Sequence, residues 1–304
     1  MACAALAPHG TKNQHHPDCQ SHFSWRPIHA FLVSMTETKI YKDKWALITG
    51  ASAGIGKEFA EQLSEMGANL VLTARRKDRL QDLQQSLQQK GIKVEIFAAD
   101  LAAPEAPEAI IQFLADKNIA PDILINNAGF GLPGGYSKTT WEDQQSFIQL
   151  MVTAYAHLAH VLFKQMMDRG YGRIINVASV AGLMPGGPGH TLYGPSKAFL
   201  ISFSESLNAE GQDRNVHCCA LCPGFTWSEF HDVNGTREAL NQLPKFMMME
   251  AAPVVAGGLK SMERGKAVHV PGLVYKTITA VSGFLPRGLQ QKLANAQMKK
   301  ARQV

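Results

Sequence analysis

Trp45-Ala46-Leu47-Ile48-Thr49-Gly50-Ala51-Ser52-Ala53-Gly54-Ile55-Gly56 decides how the rest of the chain is read. A short apolar run, Trp45 to Thr49, empties into a glycine-rich turn, and helical spacing through Ile55, Phe59 and Leu63 then runs from Gly54 to Met66. Strand, tight turn and helix in immediate succession open a βαβ unit. The turn needs residues without a Cβ, its backbone must approach a pyrophosphate closely, and the helix start offers free N–H groups at a positive dipole end. In this setting the glycines mark a dinucleotide site in preference to a merely structural turn.

The same pattern repeats downstream. Asn69 to Thr73 is a second buried-strand run, followed by a helix near Lys77 to Lys90, a strand Val94 to Ala99, a helix near Glu105 to Lys117 and a strand Ile123 to Asn126. A long helix over Trp141 to Asp168 comes next, then a strand Arg173 to Ala178, a helix Tyr193 to Glu210, and strands Val216 to Leu221 and Ala267 to Val270. This alternation predicts a single doubly wound α/β domain, Rossmann-type, with a mostly parallel sheet of about seven strands covered by helices on both faces. The connection from Phe225 to Glu250 is too long for a plain turn. With Trp227, Phe230 and Met247-Met248-Met249 it reads as a lid over an apolar substrate, or equally as ordinary packing.

The domain so delimited covers 41–271. Before it, residues 1–40 place His9, His15, His16, His22 and His29 in a Pro/Asn/Ser-rich stretch without periodicity, and disorder is expected there. After it, residues 272–304 form a basic extension with Lys276, Arg287, Lys292, Lys299, Lys300 and Arg302 and no acidic residue. Without those charges the formal net charge of +5 becomes −1 for residues 1–271, so the main body offers no basic patch and nucleic acid is not an expected partner. Leu285, Leu289 and Leu293 at helical spacing suggest a helix packed on its own domain or on a partner subunit; contact with an anionic membrane surface is the second reading.

Composition sets the outer bounds. A chain of 304 residues with 45% hydrophobic residues can build a large core, which excludes collagen-like, disordered and small disulfide-framed classes. Apolar stretches such as Ile28 to Val33 and Leu70 to Leu72 fall far short of the roughly 20 residues that cross a bilayer, so no spanning helix is expected. The N-terminus lacks the basic and apolar regions of a secretory signal. The five cysteines, Cys3, Cys19, Cys218, Cys219 and Cys222, are an odd set, and reduced thiols in a cytoplasmic protein are expected. Cys219 and Cys222 have the spacing of a thiol pair, but on a strand they face opposite ways. His15, His16, Cys19 and His22 sit in the unpatterned tail, so no metal site is expected.

Three further places carry chemistry. At the end of the second strand, Thr73-Ala74-Arg75-Arg76 puts arginine where an acidic residue would bind a ribose 2′-hydroxyl. Arginine can pair with a 2′-phosphate, favouring NADP(H), although these arginines could also simply open a solvated helix. Tyr193 and Lys197 lie one turn apart on one helix face. An ammonium at ~4 Å in an effective dielectric of ~20 attracts a phenolate by ~4 kcal/mol, enough to bring Tyr193 from about 10 towards neutrality, where it can exchange a proton with a substrate oxygen. Ser179 follows a strand, at the end that faces the ligand crevice in such sheets.

Thr49-Gly50-x-x-x-Gly54-x-Gly56, Asp100, Asn126-Asn127-Ala128-Gly129, Ser179, Tyr193-x-x-x-Lys197 and Pro223-Gly224, in this order and spacing, resemble the short-chain dehydrogenase/reductase family over roughly Lys44 to Pro271. The variable part is similar to the DltE-like reductases and, more distantly, to long-chain 3-ketoacyl and 17β-hydroxysteroid reductases. The resemblance implies that Gly50, Ser52, Gly54 and Ile55 form the phosphate turn, Arg75 selects the 2′-phosphate, Asp100 and Leu101 touch adenine, and Asn127, Ala128 and Gly129 flank the ribose. It places Pro223, Gly224, Thr226 and Ser228 around the carboxamide, with serine at 228 where threonine is common. Lys197 would also hold the nicotinamide ribose beside Tyr193. The implied catalytic set is Ser179 on the substrate carbonyl, Tyr193 as proton donor and Lys197. An apolar carbonyl or alcohol, 3-oxoacyl or steroid-like, is the implied substrate. A homodimer or homotetramer through the two long helices is the implied assembly.

One position departs from the pattern. The family's Asn-Val-Thr-Ala is here Met151-Val152-Thr153-Ala154, and a thioether has no amide to organise a water relay to the lysine. Slowed proton resupply is expected, with a gain in turnover for Met151→Asn. The alternative that Met151 raises is an NADP-binding sensor or scaffold with weak or lost catalysis.

Overall fold

The computed structural model describes residues 40–132, 135–187, 191–229, 244–286 and 288–292. Its strands are β1 (Trp45–Thr49), β2 (Asn69–Ala74), β3 (Val94–Ala98), β4 (Ile123–Asn126), β5 (Gly172–Val177), β6 (Val216–Leu221) and β7 (Val268–His269). They form one sheet in the order β3-β2-β1-β4-β5-β6-β7, every pair parallel. Between them run α1 (Gly54–Glu65), α2 (Lys77–Gln88), α3 (Ala106–Asp116), α4 (Trp141–Ile148), α5 (Tyr155–Arg169), α6 (Tyr193–Gly211) and α7 (Ala251–Glu263), and α8 (Leu273–Phe284) follows β7. The strand order reverses between β1 and β4, and sheets of this kind bind ligands in the crevice outside the carboxyl ends at that switch.

The apolar run in β1 follows from burial on both faces. Ala46 and Ile48 pack with Phe59 and Leu63 of α1 and with Val254 and Leu259 of α7. Leu47 points the other way, into a cluster with Ile110 and Leu114 of α3 and Leu158 of α5. A half-buried strand would alternate polar and apolar residues; one covered by helices on both sides does not. Cys219 and Cys222 fall into separate clusters, and with Cys218 they are buried free thiols.

The expected elements are present, most with ends moved by a residue or two, but the long helix is not α-helical throughout. Between α4 and α5 lies a wider π turn, Gln149–Ala154, with Leu150, Met151 and Ala154 buried. Leu150-Met151-Val152-Thr153-Ala154 offers an apolar or small residue at nearly every phase, so an extra residue in the turn leaves no trace in the periodicity. The expectation that no helix could span a bilayer is also corrected. Trp141–Arg169, 29 residues with a window of mean hydropathy 1.4, is long and apolar enough by length and composition. Scattered polar residues such as His157 and His160 break its contiguous runs while leaving that mean high. Its Phe147, Leu158, Leu162 and Met166 are buried in the core.

Residues 1–39, the middle of the expected lid (230–243) and Leu293 with the tail after it lie outside the described residues. The two ends of the lid segment are tied together. Thr226 bridges Met249, Trp227 N–H donates to Met249 O at 2.9 Å, and Met249 N–H donates to Phe225 O at 2.9 Å.

Candidate active site

The turn after β1 is shaped for an anion. Gly50 has φ +68°, and a Cβ on Gly56 would lie 2.2 Å from Gly50 O, so side chains are excluded where α1 meets the turn. The residue before α1, Ala53, supplies no side-chain cap, and the first turn carries no acidic residue. The first amides of α1 therefore have no side-chain acceptor of their own and face the cleft, as a bound pyrophosphate requires.

Thr49 fixes this turn to its neighbour, which sequence reasoning missed. Its Oγ1 accepts from Asn127 N (2.8 Å) and Ala128 N (3.0 Å) and donates to Ile125 O (3.2 Å). Asn127 Nδ2 donates to Thr49 O (2.9 Å) and Gly50 O (3.2 Å). Asn127 thus lines the cleft while its amide holds the turn. Every residue expected to touch the cofactor lines this one cleft. Arg75 is exposed at its edge. It is Arg76 that enters a network, donating to Ser52 Oγ at 3.1 Å and to Glu229 Oε2 at 2.8 Å. Asp100 Oδ1 accepts from Ala102 N at 3.0 Å and so closes its own turn.

The groups expected to react converge from two elements. Ser179 comes directly after β5, where its Oγ accepts from Ala181 N at 3.2 Å and is 3.5 Å from Pro223 O. Tyr193 and Lys197 stand on the first turns of α6. Lys197 is buried, its Nζ donating to Val177 O at 2.8 Å and lying 5.6 Å from the centre of the Tyr193 ring. The expected drop of the Tyr193 pKa towards neutrality is not found. Burial pushes the phenol up, and a hydrogen bond with Ser179 only partly offsets this. Burial pulls Lys197 down to about 7, and no carboxylate among the described residues compensates its desolvation. An ammonium only part-charged at neutral pH cannot lower its neighbour as a full charge would.

Three more residues hold the site, and two of them, Tyr155 and Tyr275, gave no signal in the sequence. Met151 is fully buried, with its Sδ 3.1 Å from where a Cβ on Gly129 would stand; an apolar contact replaces the amide expected there. One turn on, Tyr155 sends its buried phenol to Ala128 O at 2.8 Å, tethering the loop between the turn and the reacting groups. From α8, Tyr275 accepts from Phe225 N (3.1 Å) and donates to Met247 O (2.6 Å). Its ring occupies the space a Cβ on Gly224 would take. Contacts across 27 and 50 positions have no periodic trace.

Gly-lined turn, uncapped helix start and a set of half-buried Ser179 and Tyr193 with buried Lys197 together fit a nicotinamide dinucleotide. The family model for short chain dehydrogenase matches residues 44–239. The nodulation protein G of a Rhizobium species is 34% identical over 235 residues, 75% of this chain and 92% of that protein. The very-long-chain 3-oxoacyl-CoA reductase of Neurospora crassa is 35% identical over 293 residues, 90% of this chain and 86% of that protein. The solved structure of a short-chain dehydrogenase from Sphingobium yanoikuyae in complex with NADPH is 33% identical and superimposes with a TM-score of 0.69, covering 80% of this chain and 96% of the other. The chain belongs to the short-chain dehydrogenase family and is an oxidoreductase.

Proposed function

We propose that this protein is an NADP(H)-dependent reductase of an apolar ketone, 3-oxoacyl or steroid-like, with Tyr193 as proton donor. The observation that carries the reading is the convergence of half-buried Ser179 and Tyr193 with buried Lys197 beside the turn. A nicotinamide cofactor held in the cleft would supply the hydride. Ser179 Oγ hydrogen-bonds the substrate carbonyl, and Tyr193 gives its proton to the oxygen as negative charge develops there. A phenol whose pKa burial raises keeps that proton at neutral pH, which suits reduction. Oxidation would need the phenolate. Lys197 then returns a proton towards the emptied phenol, a transfer helped by its own pKa of about 7.

NADP(H) over NAD(H) is supported by the end of β2. Arg76 and Arg79 pair there with the carboxylate of Glu229 and Arg75 lines the same cleft, an excess of positive charge suited to a 2′-phosphate of about −2. A long-chain 3-oxoacyl substrate is supported by the name of the Neurospora relative. A homodimer or tetramer is supported by Phe199, which is 37% exposed and stacks on Phe203 on α6 at 5.5 Å; a monomer mass by light scattering would overturn that part.

NADPH oxidation against aliphatic, aromatic, 3-oxoacyl and steroidal carbonyls, with Tyr193→Phe beside the wild type, tests the reading. Turnover that prefers NADPH and falls about 10²–10⁴-fold in the variant is expected. Equal turnover in both would overturn it. Met151 against Gly129 favours the sensor reading, and tight NADPH binding without reaction of any carbonyl would bring that forward.

A further inference from the structure

The segment leaving β6 crosses the cleft as a strap. Ser228 lies on the phosphate turn, its Cβ 2.9 Å from where a Cβ on Gly54 would be. The next residue, Glu229, reaches the end of β2. Its Oε2 accepts from Arg76 Nη1 at 2.8 Å, and its two oxygens accept from Arg79 Nη1 at 2.5 and 2.7 Å. Both arginines hold the carboxyl below its usual range. Arg76 is at the same time bonded to Ser52 in the turn, so its guanidinium sits between the pyrophosphate end of the cleft and the strap. Ser52, Arg75, Arg76 and Glu229 face the same cleft.

In a sheet of this order, the adenosine ribose of a dinucleotide lies over the end of β2. A phosphate monoester there and the Glu229 carboxylate are the same kind of ligand for arginine, two or more coplanar acceptor oxygens with negative charge. Both cannot take the same donor, Nη1 of Arg76.

We infer that Glu229 is a specificity-determining residue: an intramolecular stand-in that occupies Arg76 and must yield it to the cofactor's 2′-phosphate. The inference rests on the NADP(H) reading. Arg79 keeps Glu229 when Arg76 turns to the phosphate, so the strap is retained while one ion pair is exchanged for another. The exchange weakens NADP(H) binding relative to an unoccupied Arg76 and leaves NAD(H), which has no group to compete, almost untouched. The chain thereby lowers its own preference for the phosphorylated cofactor and speeds its departure.

Calorimetric titration of the full chain with NADPH and with NADH, for wild type, Glu229→Gln, Arg76→Met and the double variant, tests this. All three side chains of the cluster are more than 40% exposed, so the variants leave the core intact. Glu229→Gln is expected to lower the NADPH Kd about fivefold, with under about twofold change for NADH. In the Arg76→Met background the same substitution is expected to gain less than about twofold, since the contested guanidinium is gone. An unchanged or raised NADPH Kd in Glu229→Gln overturns the inference, as does an equal gain for both cofactors or an undiminished gain without Arg76. If wild type prefers NADPH and Arg76→Met removes the preference, those failures concern Glu229 alone. If wild type shows no preference, the NADP(H) reading falls and Glu229 falls with it.

Discussion

Each end of the sheet buries a cation, and the two are treated in opposite ways. At the amino end, Arg173 of β5 donates from Nε to Glu263 (2.9 Å), from Nη1 to Gly172 O and Asn215 O (both 2.8 Å), and from Nη2 to Asn215 Oδ1 (3.3 Å). It lies over the Tyr171 ring at 4.5 Å, and Tyr41 adds a hydrogen bond to the same carboxylate. At the carboxyl end, Lys197 meets Val177 O and no carboxylate among the described residues. One charge is fully answered by the fold. The other keeps donors in hand, and its burial therefore shows as a lowered pKa. Stability is built where hydrogen-bonding capacity is used up, and chemistry where it is held back.

The contrast can be broken at several points. Tyr193→Phe should cut turnover by about 10²–10⁴ while leaving the melting temperature nearly unchanged; a large loss of stability would mean that the carboxyl end is structural as well. Lys197 comes next. Its folded pKa of about 7 lies below the ordinary lysine value, so the unfolded chain binds the extra proton between those pH values, and stability rises as pH rises through that window. Urea unfolding at about pH 7 and about pH 9.5 should move in favour of wild type over Lys197→Met by about 3 kcal/mol. A difference flat in pH would remove the claim that burial pulls this ammonium's pKa down.

At the amino end, Glu263→Ala leaves Arg173 and Tyr41 without their shared acceptor. Part of the full cost of breaking a buried pair applies, since Glu263 is 31% exposed; about 2 kcal/mol is expected, or on the order of 5 °C in Tm. Turnover measured well below the transition should not change, and a loss there would show the two ends to be coupled. The smallest effect belongs to Tyr155→Phe, which removes the tether to Ala128 O. A cost of about 1 kcal/mol and a few-fold fall in kcat/KM, through a looser loop beside the cofactor, are expected; unchanged kinetics would make Tyr155 a packing residue only.

How much of this was legible in the sequence divides along the same line. β1 and its turn could be read because a strand buried on both faces must be apolar throughout and a phosphate turn must lack side chains. Tyr193 and Lys197 could be read because one helical turn fixes their relation. The amino-end cluster could not. Arg173 and Glu263 are 90 positions apart, and nothing local distinguishes them from solvated charges. The same holds for Arg76: its neighbour Arg75 was the expected selector, and only the fold brings Glu229, 153 positions away, to the Arg76 guanidinium. The π turn around Met151 was hidden because that stretch is apolar or small at nearly every phase. The direction of the Tyr193 shift was hidden for another reason. Coulomb attraction can be guessed from spacing, but the desolvation that opposes it depends on burial.

Tyr275 changes the meaning of deletion mapping on this chain. A polypeptide ended after β7 would keep every strand, the glycine turn and all three reacting side chains. It would lose the ring that seats Gly224 and the phenol that joins Phe225 to Met247. Such a truncation would come out as an inactivating lesion, and the C-terminal helix would be scored as catalytic although it supplies no proton-transfer group. The boundary of the enzyme, judged by activity, lies beyond the boundary of its sheet.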